Sequence, residues 1–572
     1  MRRFLTAAAG AAALSAPARA VDVEYSGLLQ TDIRYRIDTV KTGSWYNLQQ
    51  LDPSFNRNQN LLKTRLSAKQ GRSRFVLDAD LVYMGFHAPI DDVADLARRE
   101  VVDPHRIELH SMYVEAWDVG LRGLDIRVGQ QRVMWGVGDQ FNPTNNLNAD
   151  DIEDPLLFGD QLGNVMARVD YTPAADWTLS AVVVPVFKPA LLPDTGSLAL
   201  AMVDRVPVQQ DALRRKLLAE AFLVENLLGW PTVVGGVNPV MPENTLQNMQ
   251  WSARVAGTVL NQDIAVSWYD GRFDFPVPVA NHTVAAPGQA CNPADPEDCI
   301  NGRLVTTPAV GFPRMQVLGV NASGEVDALG WMSKKIAPIG YRAEIAYIRP
   351  EATPMSITND ELNLGIYTQP AGEYDYGLGK GVKPTSVQAD PFMKWTVGLD
   401  YSLGKHVYLN GQWVHGMPDE FGAGDWLFEG TNTLRQARLL TDADGVAACN
   451  LLDRQGENCI EETLRPRIGD YGVLGLDFTF GQNLLRTFAI VDFTPILVET
   501  WDDAAEARTT KTYAWHTEKA RSYVLYPELS HKFGNGFELA GGAVLLFGES
   551  WSKFGDPAGG GSQVFTRARY AF

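Results

Sequence analysis

Cysteine and histidine are scarce in this sequence, and long apolar runs are missing. Four cysteines in 572 residues exclude a disulfide-dense scaffold. No uninterrupted apolar stretch reaches the length of about 20 residues that a membrane helix needs, so insertion by helices is excluded. The eight histidines, His87, His105, His110, His282, His406, His415, His516 and His531, follow no zinc or haem-attachment spacing, and no glycine-rich phosphate loop is present. Only His415 has carboxylates close by, Asp419 and Glu420, with no catalytic motif around it. The expectation is a chain that is not an enzyme and has no cofactor, no metal site and no nucleic-acid partner.

What is present begins with "MRRFLTAAAGAAALSAPARA". Arg2 and Arg3 precede an apolar run from Phe4 to Ala16, and Ala18-Arg19-Ala20 has the small-x-small form of a cleavage site. This pattern predicts a secretory signal peptide over 1–20 and a mature chain over 21–572. Helical periodicity is rare, whereas period-2 segments recur to the last residue, which predicts an all-β protein.

The spacing of these segments carries the architecture. Eighteen candidate strands, with sixteen as the alternative, can be placed along the chain. Tight connections at "QGRS", "DVGLRG", "TPAADW", "LNQD", "SLGKH", "TFGQN" and "KFGNG", and a less clear one near "ASGEVDALG", alternate with long polar segments. The long segments cover 39–59, 88–105, 136–162, 189–248, 278–312, 351–390, 418–468, 501–519 and 549–560. Strict alternation of short and long connections is the rhythm of a transmembrane β-barrel with periplasmic turns and extracellular loops. The predicted fold is a closed antiparallel barrel in the outer membrane of a Gram-negative bacterium, in contact with lipid and lipopolysaccharide.

The strand faces agree. In "NLLKTRLSAKQ", Leu62, Thr64, Leu66 and Ala68 share one face, and Lys63, Arg65, Ser67 and Lys69 the other. Trp395, Val397, Leu399 and Tyr401 alternate likewise with Lys394, Thr396, Gly398 and Asp400, while Phe537, Leu539, Ala543 and Leu545 point outward. Sorting charge by face yields a candidate lumen. Its cations are Lys63, Arg65, Lys69, Arg168, Arg254, Arg342, Lys394, Arg567 and Arg569; its anions are Asp78, Asp80, Asp170, Glu325, Glu344, Asp400, Asp477, Glu528 and Glu538. The two signs are equal in number, so the groups either line water or pair across strands, and a pore dominated by one sign is disfavoured.

The most distinctive stretch is "IRVGQQRVMWGVGDQFNPTNNLNADDIEDP". Asn142, Asn145, Asn146, Asn148, Asp150 and Asp151 can fix a folded loop through side-chain hydrogen bonds, with Pro143 restricting the backbone among them, and Gly129, Gly136 and Gly138 permit close backbone approach. Folded inward, this loop would narrow a channel, which makes Trp135, Asp139, Asn142, Asn145, Asn146 and Asp150 its constriction candidates; a surface turn cluster is the competing reading. "DDIEDP" lacks the spacing and glycine of a calcium loop. Together with "VSWYDGRFDFP", the stretch resembles a group of uncharacterised proteobacterial outer-membrane barrels that is distantly similar to the alginate-export barrels. The resemblance implies a role in passage across the outer membrane.

Within 189–248, "VQQDALRRKLLAEAFLVENLLGWP" has helical periodicity and ends at Gly229-Trp230-Pro231, predicting an amphipathic helix outside the membrane that either caps the mouth or lies on lipid. Cys291 with Cys299 and Cys449 with Cys459 form two close pairs in polar loops. Disulfides are expected in an oxidising compartment, with zinc ligation as the competitor. The chain closes on "VFTRARYAF", with Val564, Thr566, Ala568, Tyr570 and Phe572 on one face and Arg567 and Arg569 on the other. Tyr570 and Phe572 resemble the C-terminal signal that the barrel-assembly machinery reads. Function at this level is passive passage of small solutes; the alternative is a loop-plugged barrel acting as a structural or assembly partner at the cell surface.

Overall fold

The computed structural model describes residues 21–42, 49–85, 105–154, 159–192, 232–234, 237–286, 303–327, 337–351, 353–358, 385–387, 390–422, 432–439, 460–502, 507–549, 551–556 and 559–572. The signal-peptide segment, all four cysteines and the helix-like stretch of the 189–248 loop lie outside the described residues.

Eighteen strands form one antiparallel sheet. In chain order they are β1 (Asp22–Arg36), β2 (Phe55–Gln70), β3 (Ser73–Met84), β4 (His105–Ala116), β5 (Leu124–Gln131), β6 (Asn164–Ala174), β7 (Trp177–Val184), β8 (Gln250–Val259), β9 (Gln262–Arg272), β10 (Arg314–Val326), β11 (Ile339–Pro350), β12 (Phe392–Leu403), β13 (Val407–His415), β14 (Asp470–Phe480), β15 (Asn483–Asp492), β16 (Ser522–Lys532), β17 (Phe537–Gly548) and β18 (Gln563–Ala571). Each pairs with the next, and β18 returns to β1 along a ladder from Leu28–Ala571 to Arg36–Gln563. The seam is extended by two backbone hydrogen bonds of 3.0 Å between Gly27 and Phe572. Closure leaves the barrel sheet no edge, the condition for crossing hydrocarbon with strands.

The tight turns sit where the sequence expects them. Between β8 and β9 the turn is only Leu260-Asn261, with φ of 53° and 61°, the doubly positive geometry of a two-residue hairpin whose twist matches its strands. The fifth turn is longer, running from the end of β10 at Val326 to the start of β11 at Ile339. Apolar side chains such as Val165, Trp251, Val266, Leu318, Val397, Trp413 and Leu474 are exposed on the outer face. An exposed apolar belt on a closed barrel is stable only against lipid, so the chain is an outer-membrane β-barrel.

The long segments differ from the expectation of plain loops. Those over 278–312 and 351–390 carry Val277–Ala286, Arg303–Gly311, Thr353–Thr358 and Thr385–Val387, which join short strands at Thr232–Val234 and Asn238–Pro239 in a second sheet. A third sheet pairs Asn432–Leu439, Ile460–Pro466, Ile496–Asp502 and Ala507–Tyr513. Strand β2 also starts earlier than the sequence suggests, because Phe55 to Gln59 continue its ladder with β1. Among the buried apolar residues, Trp135, Leu147, Phe273, Phe421 and Ile468 pack together, Phe141, Met417, Tyr471 and Phe554 form a second cluster, and Ile496, Val498 and Ala520 form a smaller one that includes residues of the third sheet.

The inward loop and the lumen wall

The described residues between β5 and β6, 132–154 and 159–163, turn into the barrel. The asparagines there bond the loop to itself. Asn148 accepts from Val133 N at 2.7 Å and donates to the carbonyls of Gln131 and Leu162 at 3.1 and 3.0 Å. Asn145 accepts from Trp135 N at 3.3 Å and donates to Gln161 Oε1 at 2.8 Å, while Asn164 donates to Leu147 O at 3.0 Å. Short amides serve here because each supplies a donor and an acceptor to backbone groups that no strand pairs.

The folded loop is then fastened to the wall at three places. Glu344, in the middle of β11 and 1 % exposed, accepts from the backbone N–H groups of Val137, Gly138 and Thr144 and from the Thr144 hydroxyl at 2.7 Å. Beside it, Asn321 of β10 donates to Trp135 O at 3.1 Å. Gly138 permits this nest, since a Cβ there would lie 2.6 Å from Phe141 O and 3.3 Å from the Glu344 carboxylate. At the far end of the loop, Arg34 of β1 holds Asp154 through two bonds of 2.6 Å and is itself paired with Asp32 at 2.7 Å. Between these points Asp150 N donates to Asp274 Oδ2 at 2.7 Å. Burial pushes the Asp274 carboxyl up to about 6. Burial and the facing Asp274 also raise Asp150, against the pull of Gln161 and Lys394.

The constriction candidates are thus placed together in this one loop. Trp135 is buried, its ring centroid 5.9 Å from the Arg254 guanidinium. Asn145 is buried, Asn142, Asn146 and Asp150 are half-buried, and Asp139 is exposed. Asn146 donates to Pro143 O at 3.1 Å.

The candidate lumen residues all alternate with the exposed apolar face, and register pairs many of them. Across strands Lys63 meets Asp80 at 3.4 Å, Arg342 meets Asp400 at 3.6 Å and Arg569 meets Glu538 at 3.8 Å, while Arg168 meets Asp170 of its own strand at 2.7 Å. Arg567 bridges Asp32 and Glu528 at 3.2 and 3.3 Å. Arg65 stands opposite Asp78 in the ladder. Lys394 instead donates to the carbonyls of Met417 and Pro418 at 2.7 and 3.2 Å. Arg254 makes neither a hydrogen bond nor an ion pair among the described residues.

Several wall residues were missed by the sorting of charge, among them Asp32, Arg34, Arg74, Glu115, Arg127 and Arg486. For Asp32 and Arg34 the signal was present: "LLQTDIRYR" alternates Leu29, Thr31, Ile33 and Tyr35 with Gln30, Asp32, Arg34 and Arg36. Arg486 pairs with Asp477 through bonds of 3.0 and 2.8 Å, and Glu115 takes both Arg74 and Arg127, at 2.6 and 2.8 Å. His415 pairs with Asp470 at 2.9 Å and stacks on Trp395 with 3.7 Å between centroids. The acids near it in sequence turn elsewhere: Asp419 to Lys553 and Glu420 to Arg465. Asp80, Glu108 and His110 each bring a ligand atom within 4.8 Å of the others. Lys63 and Arg106 already neutralise the two carboxylates, and Arg132 contacts the imidazole Nδ1, so this cluster is an ion-pair network.

Between the loop and the wall formed by β13 to β18 a cavity of about 580 Å³ remains, bordered by Asp139, Gln140 and Asp160 of the loop and by Asn410, Asp477, Arg486, Phe488, Tyr526 and Arg567 of the wall. The loop therefore lies against one side of the barrel and leaves space on the other.

No family model and no curated protein matches the chain in sequence. In structure it is similar to OccAB3 of Acinetobacter baumannii, with 8 % identity, 96 % of this chain and 99 % of that chain covered, and a TM-score of 0.40. It is also similar to OccK9 (OpdG) of Pseudomonas aeruginosa, with 9 % identity, coverage of 96 % and 98 %, and a TM-score of 0.43. For the outer membrane channel DcaP of Acinetobacter baumannii the values are 8 %, 98 % and 99 %, and 0.31.

Proposed function

We propose that this barrel is a channel for passive passage of small solutes across the outer membrane, narrowed by the loop from Arg132 to Gly163. The carrying observation is the cavity of about 580 Å³ left between that loop and the β13 to β18 wall. Eighteen strands enclose more space than wall side chains fill, and the polar faces that border this space are suited to hydrated solutes. Trp135, Asp139, Asn142, Asn145, Asn146 and Asp150 belong to the constriction, and the paired lumen residues form its wall. On this reading Tyr570 and Phe572 also serve the barrel-assembly machinery as an assembly signal. The likeness to alginate-export barrels rests on the two sequence motifs alone.

Glu344 provides the test. Its carboxylate is the wall anchor for three loop N–H groups and a hydroxyl, and removing one side of such a buried charged contact costs about 3 kcal/mol or more. That corresponds to a shift of at least about 100-fold in the docked-loop equilibrium. Glu344→Ala in planar bilayers is expected to show a larger and noisier single-channel KCl conductance than the wild type. If both proteins insert and neither conducts, the channel reading fails.

A further inference from the structure

The cavity beside the loop is unusual in how its charges are arranged. Each of its three arginines already faces a carboxylate. Arg486 is held bidentately by Asp477, Arg567 lies between Asp32 and Glu528, and Arg569 faces Glu538 at 3.8 Å while donating to Gln30 at 2.8 Å. On the loop side Asp160 takes Arg132 at 3.0 Å. An anionic solute would have to break one of these pairs or stay unpaired, which is costly in a partly desolvated site, whereas Asp139, which also lines the cavity and has no ion pair among the described residues, leaves a carboxylate open to a cation. Hydroxyl groups face no such cost. A paired guanidinium keeps spare N–H donors and a paired carboxylate keeps spare lone pairs, and Asn410 adds an amide between them.

An aromatic surface borders the same space. Phe565, Tyr526 and Phe488 form a near-parallel stack with centroids 5.6 and 4.7 Å apart, and Phe488 and Tyr526 both line the cavity. The Tyr526 hydroxyl donates to Glu528 at 2.6 Å, so it belongs to the charge network as well as to the stack. A ring with apolar C–H faces and hydroxylated edges complements both features.

We propose that this cavity is a binding site for a polyhydroxylated solute of monosaccharide size that carries no negative charge, held by the neutralised Arg486–Asp477 and Arg567–Glu528 pairs, by Asn410 and by the face of Phe488. The inference rests on the channel reading and names its substrate class. A volume of about 580 Å³ falls in the range of small-molecule sites, roughly 300–1000 Å³.

The experiment is current block in planar bilayers. Full-length protein is inserted in KCl and titrated with D-glucose, and then with gluconate and glucosamine as anionic and cationic analogues of similar size. Glucose and glucosamine are expected to give a saturable decrease in current, and gluconate none. Phe488→Ala should raise the half-blocking glucose concentration, measured relative to that variant's own KCl conductance, about fivefold through loss of the ring contact. Asn410→Ala should weaken block by a similar factor, with folding of both variants checked by heat-modifiable migration. Conductance in KCl with no saturable glucose block, block by gluconate at lower concentration than glucose, or block unchanged in both variants would overturn the site while leaving the channel intact. Absence of KCl conductance would overturn the channel reading and this site with it.

Discussion

At the scale of single residues, most of what matters in the lumen is the meeting of a side chain on one strand with a loop group far away in sequence. Glu344 and Gly138 are the clearest pair, and Asp150 with Asp274 the most responsive one. Burial keeps the Asp274 carboxyl protonated up to about pH 6, whereas a freely solvated aspartate ionises near pH 4. The docked loop therefore binds more protons than the undocked loop between these values, and docking strengthens as pH falls from 7 towards 5 and weakens as it rises. Asp150 and the Lys394 ammonium face Asp274 from the loop and from β12, and Asp150 is shifted in the same direction. Wild-type conductance is expected to be lower at pH 5 than at pH 7.5. Asp274→Asn, which mimics the protonated acid, should remove most of that difference; a pH response unchanged in the variant would assign it to other groups. None of these pairings could be read from sequence, because residues separated by more than 100 positions carry no mutual signal in a single chain. The asparagines of the loop could be read, since their bonds are local.

At the scale of elements, the strands and turns were the legible part. Period-2 alternation separates the two faces of a strand without any knowledge of register, so Leu62 and Lys63 are assigned to opposite faces from the sequence alone. The extramembrane sheets were not legible as such. Val277–Ala286 and Arg303–Gly311 have β-type composition but no lipid-matched band, and polar turn residues around them read as loop. The seam between β1 and β18 shows how an element can depend on one small residue. A Cβ on Gly27 would lie 2.4 Å from the Phe572 ring, and that ring also packs near Tyr25 and Tyr570, with centroids 6.1 and 6.2 Å away. Gly27→Val should expel the ring and lower the fraction of heat-modifiable barrel in the membrane, as should deletion of Phe572, while Phe572→Tyr should be tolerated. Full folded yield from both Gly27→Val and the deletion would remove the seam from any role in assembly.

At the scale of the whole molecule, the acidic balance of the chain, −18 overall, contrasts with a barrel wall on which many cations are ion-paired with anions, as in Lys63–Asp80, Arg342–Asp400 and Arg486–Asp477. Paired charges create little net field along the pore. The channel is accordingly expected to discriminate weakly between K⁺ and Cl⁻, with a reversal potential near zero in a KCl gradient; a strongly cation-selective channel would mean that the acidic loops, and not the barrel wall, set permeation. By itself the sequence determined the all-β class, the closed barrel, its strand number and the faces of its strands. These follow from local periodicity and connection length, which each segment expresses on its own. Only the tertiary structure decided that the Asn-rich loop enters the barrel and leans on Glu344 and Arg34, that the three arginines beside the cavity arrive already paired, and that a cavity survives on one side. Those outcomes depend on strand register and on which wall a loop reaches, and closing the ring of strands is what brings such distant residues within hydrogen-bonding distance.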